Sequence, residues 1–77
     1  MIAKLTTLER AYLCGRGFAR TYGDDLFWED SHSDLEQEGL PTDERHRQEY
    51  MTGVATSAEP CAISPARLRA VKAVYKP

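Results

Sequence analysis

Residues 6–23 read TTLERAYLCGRGFARTYG and contain the signals of one complete helix. The opening TTLE matches a capping box, in which a threonine hydroxyl accepts from the backbone N–H three residues on and the glutamate reaches back. Small and apolar residues then recur every three or four positions, and Gly23 is the residue type that commonly follows a helix. These signals predict a helix over residues 7–22. Its buried stripe is predicted to be Leu8, Ala11, Tyr12, Gly15, Phe18, Ala19 and Tyr22, with Arg10, Arg16 and Arg20 mostly outside it.

Two further main helices are predicted downstream. Thr42 can cap a helix over residues 43–57, because the two acids of its first turn suit the positive end of the helix dipole. A serine followed by proline at 64–65 is a favoured helix start and predicts a last helix over residues 65–75. One face of the helix at 43–57 is predicted to carry His46, Tyr50, Gly53, Val54 and Ser57. The small residues Ala11, Gly15 and Gly53 would let the helix over residues 7–22 and the helix over residues 43–57 approach closely.

The segment between these helices is predicted to be an acidic linker that carries one short helix. A second capping-box match, SDLE at 33–36, followed by Gly39 in the stop position, predicts a turn of helix over residues 34–38. Leu26, Phe27 and Trp28 form an apolar cluster before it. No alternation of β-branched residues predicts a strand. The fold class is therefore all-α, a small helical bundle of three main helices in a single domain over residues 1–77.

Size and composition limit the function further. A chain of 77 residues has too little material for a second core or a large enzyme cleft. It contains neither a long apolar run nor an apolar leader segment, so we expect a cytoplasmic protein of a bacterial host that does not engage a membrane.

Charge is distributed very unevenly along the chain. The net charge is −2, yet residues 21–44 contain nine acids and no lysine or arginine. Residues 1–20 carry a net +3 and residues 60–77 a net +4. The centre of the chain is therefore strongly anionic and both ends are cationic.

No catalytic or metal-binding constellation is indicated. The soft and imidazole ligands are Cys14, His32, His46 and Cys61. Their spacing contains no local pair of the kind that builds a structural zinc site. Cys14 lies in the middle of a predicted helix, not at an N-terminus that would activate a thiolate. We therefore expect a non-enzymatic protein with no cofactor and no metal.

The acidic residues are the candidate partner-binding site. Asp30, Asp34 and Glu38 are four apart, so a helical backbone would stack their carboxylates about 5–6 Å apart on one face. Such a row approximates a strand of phosphates and could occupy a basic groove that binds DNA. Acids that lie close together repel one another, and binding to a basic partner would relieve that repulsion. Alternatively, the acids solubilise a loop or pair with the basic ends of the same chain. The predicted site comprises Asp24, Asp25, Glu29, Asp30, Asp34, Glu36 and Glu38. Phe27 and Trp28 are aromatic anchors of this interface in one interpretation and residues of the core in the other.

Two helices of the sequence resemble a known family. LERAxxxGxxFA at residues 8–19, followed by RxxYxxGxA at residues 47–55, is similar to the two-helix pattern of the ribosome modulation factor family. That resemblance implies binding to ribosomal RNA through basic helix faces. The family is strongly basic, whereas the segment between the two helices here is acidic, so we treat ribosome binding as the alternative hypothesis.

Size and charge architecture together resemble a second class of proteins. A short chain with an acidic centre and no catalytic constellation is similar to phage-encoded anti-CRISPR inhibitors that mimic DNA. That resemblance implies an inhibitor whose acidic surface blocks DNA binding by a CRISPR–Cas surveillance complex or its nuclease, without binding DNA itself. Under this leading hypothesis the partner is a basic nucleic-acid-binding protein complex, and a homodimer is compatible with it.

Overall fold

The structure is a computed structural model that describes residues 5–23, 25, 28–66 and 68. In these residues it contains helices and no strand, which confirms the all-α class and the small helical bundle. The helices are α1 (Thr7–Tyr22), α2 (Trp28–Gln37) and α3 (Glu44–Ala55). The helix predicted over 65–75 lies mostly outside the described residues. At its start, the Leu68 N–H donates to the Ser64 carbonyl oxygen over 3.1 Å.

Helix α1 has the bounds that its local signals predict. The Glu9 N–H donates to the Thr6 hydroxyl over 3.1 Å, and the Thr6 N–H donates to the Glu9 carboxylate over 2.8 Å, which completes the capping box. At the other end, Gly23 has a φ of +89° and its N–H donates to the Ala19 carbonyl oxygen over 2.9 Å. Glycine adopts this backbone conformation at little cost, so it ends the helix.

Helices α1 and α3 cross with their backbones in direct contact. A Cβ atom added at Gly15 would lie 1.9 Å from the Tyr50 carbonyl oxygen, and one added at Gly53 would lie 2.0 Å from the Tyr12 carbonyl oxygen. Ala11, one turn before Gly15, is completely buried. The predicted close approach through these small residues is therefore confirmed, and α1 against α3 is the main interface of the fold.

The core forms where α2 closes over this helix pair. Its buried residues include Leu35 and Leu40 from the second helix and its exit, and Tyr50 and Val54 from α3. Gly39 has a φ of +71°, and the Leu40 N–H reaches back to the Leu35 carbonyl oxygen over 2.9 Å. Together with the hydrogen bond from the Gly39 N–H to the Glu36 carbonyl oxygen over 3.1 Å, this is a Schellman helix end. The predicted stop at Gly39 is therefore confirmed.

Helix α2 begins six residues earlier than predicted. The capping-box match at 33–36 is not used, because residue 33 lies inside a helix that starts at Trp28. Two acids in the first turn, Glu29 and Asp30, suit the helix dipole there. Ser31 is completely buried at the position where a larger apolar residue would have revealed the helical period. The prediction of a short helix in the acidic linker was thus right in kind and wrong in extent.

The start of α3 also differs slightly from the prediction. Asp43, not Thr42, is the N-cap residue, with extended backbone angles. Its carboxylate makes no capping hydrogen bond, because it faces His46. The helix ends at Ala55, two residues before the predicted end.

Arg16 is not part of a solvated basic face, as its spacing had suggested. The residue is only 5% exposed. Its guanidinium donates to the carbonyl oxygens of Thr56 and Glu59, each over 2.8 Å, and lies 5.8 Å from the centre of the Tyr12 ring. Arg16 therefore ties the chain that leaves α3 to the middle of α1.

Candidate functional site

The carboxylates of α2 fall into two sets. Asp30, Asp34 and Glu38, here called the acidic row, are spaced four residues apart. The helical hydrogen bonding continues to Glu38, whose backbone N–H donates to the Asp34 carbonyl oxygen over 3.1 Å. The row therefore follows one side of α2, and its last two members line a groove beside α1. Glu29 and Glu36, here called the outer pair, are seven residues apart and exposed. Two full turns separate them, so they share the solvent face of the helix.

Asp34 has a structural partner. The Tyr50 hydroxyl donates to its Oδ2 atom over 2.6 Å, and the Tyr50 side chain is completely buried. Burial, followed by the hydrogen bond and negative charge of Asp34, raises the pKa of the Tyr50 hydroxyl, so the phenol remains a proton donor. Asp34 therefore anchors α2 to α3 as well as contributing charge to the acidic row.

Trp28 is already occupied by a cation of the same chain. The Arg47 guanidinium lies 4.3 Å from the centre of its ring. Arg47 also donates to the Trp28 carbonyl oxygen over 3.0 Å and to the Ser31 hydroxyl over 3.3 Å. The indole is 38% exposed. These contacts make Trp28 part of the joint between α2 and α3.

The other predicted site residues are partly accessible. Asp24 and Phe27 lie outside the described residues. Asp25 and Glu38 are exposed like the outer pair, whereas Asp30 and Asp34 are half-buried. In the part of the chain that the structure describes, no carboxylate of the outer pair, nor that of Glu38, forms an ion pair with a lysine or arginine. The structure thus brings six of the nine predicted residues together along α2 and the turn that follows it, and the carboxylates of Glu29, Glu36 and Glu38 among them are exposed.

Cys14 lies beside the acidic row and carries a protonated thiol. Burial, followed by the negative charges of Glu38 and Asp34, raises its pKa to about 11, and Arg10 opposes the shift only weakly. Thiolate chemistry needs a lowered pKa, so this environment disfavours nucleophilic catalysis at Cys14. Cys14 and Cys61 are both free thiols.

One constellation escaped the sequence reasoning. Thr7 Oγ1 lies 2.7 Å from His46 Nε2, and His46 Nδ1 lies 2.6 Å from Asp43 Oδ1. Hydroxyl, imidazole and carboxylate in this order can form a proton relay. Neither Thr7 nor His46 lines the groove beside α2, and neither lines a second pocket, which Tyr12 and Ile63 border. We therefore interpret the relay as a structural contact that joins the start of α1 to the start of α3. Its hydroxyl and imidazole are 39 residues apart in the sequence, and no local spacing could have revealed it.

The relay affects the charge of Asp43. Desolvation alone would raise the pKa of this carboxyl, but the adjoining His46 imidazole and the local N–H donors outweigh it and lower the pKa. The carboxylate is therefore held in its charged form at the start of α3, where the helix dipole favours a negative charge.

The described residues contain neither a metal site nor a membrane-spanning helix. Within the described ranges, no group of three histidine, cysteine or acidic side chains could hold a metal ion. Neither α1, α2 nor α3 combines the length and apolar character that crossing a membrane requires. No family model matches the sequence, and comparisons with curated proteins and with solved structures find no match.

Proposed function

We propose that this chain is a non-catalytic binding protein whose acidic α2 surface occupies a basic surface of a nucleic-acid-binding protein complex. The observation that carries the proposal is the exposure of Glu29, Glu36 and Glu38 without a basic partner among the described residues. Like charges on one short helix repel, and an external cationic surface would relieve that repulsion.

Two arginines among the described residues are engaged elsewhere in the fold. Arg16 donates to backbone carbonyl oxygens at the exit of α3. Arg47 contacts the Trp28 ring and carbonyl oxygen at the first turn of α2, away from the outer pair. Arg16 and Arg47 therefore do not neutralise the exposed carboxylates of α2, which remain available to a partner.

The class of partner is inferred from the sign of the charge on α2. Proteins bind nucleic acids largely through lysine and arginine clusters that neutralise phosphates. A helix with several carboxylates carries negative charge, as a phosphate backbone does, and can therefore bind to the same clusters. In size and charge architecture the chain resembles anti-CRISPR proteins that mimic DNA. The specific proposal is therefore inhibition of a CRISPR–Cas surveillance complex by exclusion of DNA.

A capture experiment tests this proposal. Tagged protein is incubated with nuclease-treated bacterial lysate at low and high salt, and bound proteins are identified by mass spectrometry. We expect a basic nucleic-acid-binding complex that is lost at high salt and displaced by added duplex DNA.

Charge-reversal variants make the test specific to α2. Glu29→Lys combined with Glu36→Lys should abolish capture, because both side chains are exposed and neither supports the core. Glu59→Lys is the control: its side chain is exposed outside α2, and the fold uses only its backbone N–H and carbonyl. Equal retention of the partner by the double variant and the control would refute the α2 surface. Asp34 is unsuitable for reversal, because it holds Tyr50.

The alternative function rests on the resemblance of the helix pair to a known family. The small residues through which the sequence resembles the ribosome modulation factor family, Ala11, Gly15 and Gly53, lie at the crossing of α1 and α3. Under this alternative the chain is a ribosome- or RNA-binding regulator that uses its basic helix faces. Omitting nuclease from the same experiment separates the two proposals: ribosomal particles that are retained without nuclease and lost with it would favour the alternative.

A further inference from the structure

An open groove separates the second half of α1 from the end of α2. Its volume is about 340 Å³. One wall comes from α1 and the other carries two members of the acidic row. The residues that matter for its chemistry are Cys14, Gly17, Phe18 and Tyr22 on α1 and Asp34 and Glu38 on α2.

The α1 wall presents an aromatic ring to solvent. Tyr22 is 74% exposed, compared with 38% for Trp28. Its ring centre lies 5.0 Å from that of Phe18, which in turn packs 6.2 Å from Tyr50 in the core. Phe18 thus supports Tyr22 from below, while much of the tyrosine ring remains accessible. No cation of the described residues stacks on Tyr22, in contrast to Trp28.

Gly17 keeps the floor of the groove open. A Cβ atom added there would meet nothing within 4 Å, so packing inside the fold does not require glycine at this position. Glycine in the interior of a helix is destabilising relative to alanine. Gly15 differs, since the crossing with α3 requires it. The space above Gly17 is therefore available to a group from outside the chain.

The α2 wall makes the groove negative. Glu38 is exposed, and Asp34 uses Oδ2 for the Tyr50 hydroxyl while its other oxygen remains available to accept. Both carboxylates line the groove together with Cys14, and after burial their charges raise the pKa of its thiol, against the opposing charge of Arg10. A cationic occupant complements this wall.

We propose that the groove receives an arginine side chain, with its guanidinium stacked on Tyr22 and hydrogen-bonded to Glu38 and Asp34. A planar guanidinium can stack on an aromatic ring and donate hydrogen bonds to two carboxylates at the same time. A lysine ammonium is less suited to this combination, because it is a compact charge without a flat face. The chain already contains a related arrangement, since Arg47 stacks on the Trp28 ring and donates to a backbone carbonyl and a hydroxyl oxygen beside it. The identity of the arginine donor, a basic nucleic-acid-binding protein, rests on the proposed function, whereas the groove can be tested alone.

Titration of the ¹⁵N-labelled protein with N-acetyl-arginine amide tests the groove directly. We expect saturable shifts of the backbone amides of Gly17, Tyr22 and Glu38. N-acetyl-citrulline amide has the same shape without the charge and should produce no saturable shift. N-acetyl-lysine amide should bind more weakly than arginine, and equal binding of the two would overturn the assignment of a guanidinium.

Matched variants locate the binding. Glu38→Gln should weaken arginine amide by about tenfold, the usual effect of losing a hydrogen bond between charged groups. Tyr22→Ala should weaken it by about two- to fivefold through the lost ring contact. Glu36→Gln removes the same charge from the solvent face of α2 and should change affinity by less than about twofold. Equal losses for Glu36→Gln and Glu38→Gln would refute a built site, because general attraction to an acidic helix would then account for binding.

The two proposals fail separately. If arginine amide binds in the groove but lysate capture yields no basic nucleic-acid-binding complex, the proposed function fails and the arginine site stands. If such a complex is captured but arginine amide produces no saturable shift, or Tyr22→Ala leaves its binding unchanged, the arginine site fails and the acidic surface stands.

Discussion

The tightest constraint in the fold is the contact between Gly15 and the backbone of α3, and Gly15→Ala tests it. The added Cβ would lie 1.9 Å from the Tyr50 carbonyl oxygen, whereas ordinary contacts begin at 3.4 Å. The two helices would have to separate locally by about 1.5 Å, because the obstacle is a backbone atom that no rotamer change can move. Tyr50 is completely buried and bonded to Asp34, so its displacement would disturb the core and the α2 anchor together.

The expected cost of this substitution approaches the stability of the whole domain. Alanine contributes about 1 kcal/mol of helix propensity relative to glycine, which opposes the clash. Overpacking in a rigid core typically costs about 1–3 kcal/mol and sometimes more. With a backbone obstacle we expect a net loss of about 3 kcal/mol, while a core in a domain of this size supplies only about 3–5 kcal/mol. Gly15→Ala should therefore retain no more than about 2 kcal/mol of stability, with a measurable unfolded fraction at 37 °C.

Circular dichroism with urea and thermal unfolding measures the effect, and Gly17→Ala is the matched control. Gly17 is two residues away in the same helix, but its Cβ would meet nothing within 4 Å. It should gain about 1 kcal/mol, equivalent to a rise of about 4–8 °C in the unfolding midpoint. If Gly15→Ala remains within about 1 kcal/mol of the wild-type stability, the backbone contact between α1 and α3 is wrong.

Three further outcomes are expected. Arg16→Met keeps the apolar stem but leaves two backbone carbonyls without their donor, so urea unfolding should show a loss of about 2–4 kcal/mol, and no loss would contradict the buried role of the guanidinium. With the other cysteine replaced by serine, alkylation of Cys14 by iodoacetamide at pH 8 should be slow; Glu38→Gln should accelerate it by lowering the thiol pKa, and Glu36→Gln should not. The lowered pKa of Asp43 contributes stability that is present above the unfolded value of 3.8 and is lost as the pH falls through the folded value. Asp43→Asn should therefore flatten the decline of the unfolding midpoint below about pH 4, and an unchanged decline would remove Asp43 as its cause.

The features that the sequence predicted correctly are those with a local cause. The capping box at Thr6 and Glu9 and the stop at Gly23 lie within one turn of the helix ends they define, so α1 follows from neighbouring residues alone. The crossing at Gly15 and Gly53 was also predictable, because small residues facing each other on two helices have few other uses.

The features that the sequence could not predict depend on distant partners. Arg16 occupies a position that spacing alone assigns to the polar face. It can be buried because two backbone carbonyls about forty residues away in the sequence accept hydrogen bonds from its guanidinium. The first turns of α2 contain few apolar residues, and Arg47 from α3 anchors them by its contacts with Trp28 and Ser31. The relay at Asp43 likewise joins α1 and α3 across most of the chain.

The aromatic residues show how this difference changes the candidate site. Sequence reasoning chose Trp28 as an anchor for a partner, since tryptophan is enriched at binding hot spots. In the fold a cation of the same chain already covers the indole, so a partner's cation would have to displace Arg47 and release the first turn of α2. Tyr22, which its spacing assigned to the buried stripe, is instead exposed beside the free end of the acidic row. Among the described residues, no cation of the chain stacks on Tyr22, whereas Arg47 stacks on Trp28. We therefore expect a basic partner to bind at Tyr22 and Glu38 in preference to Trp28.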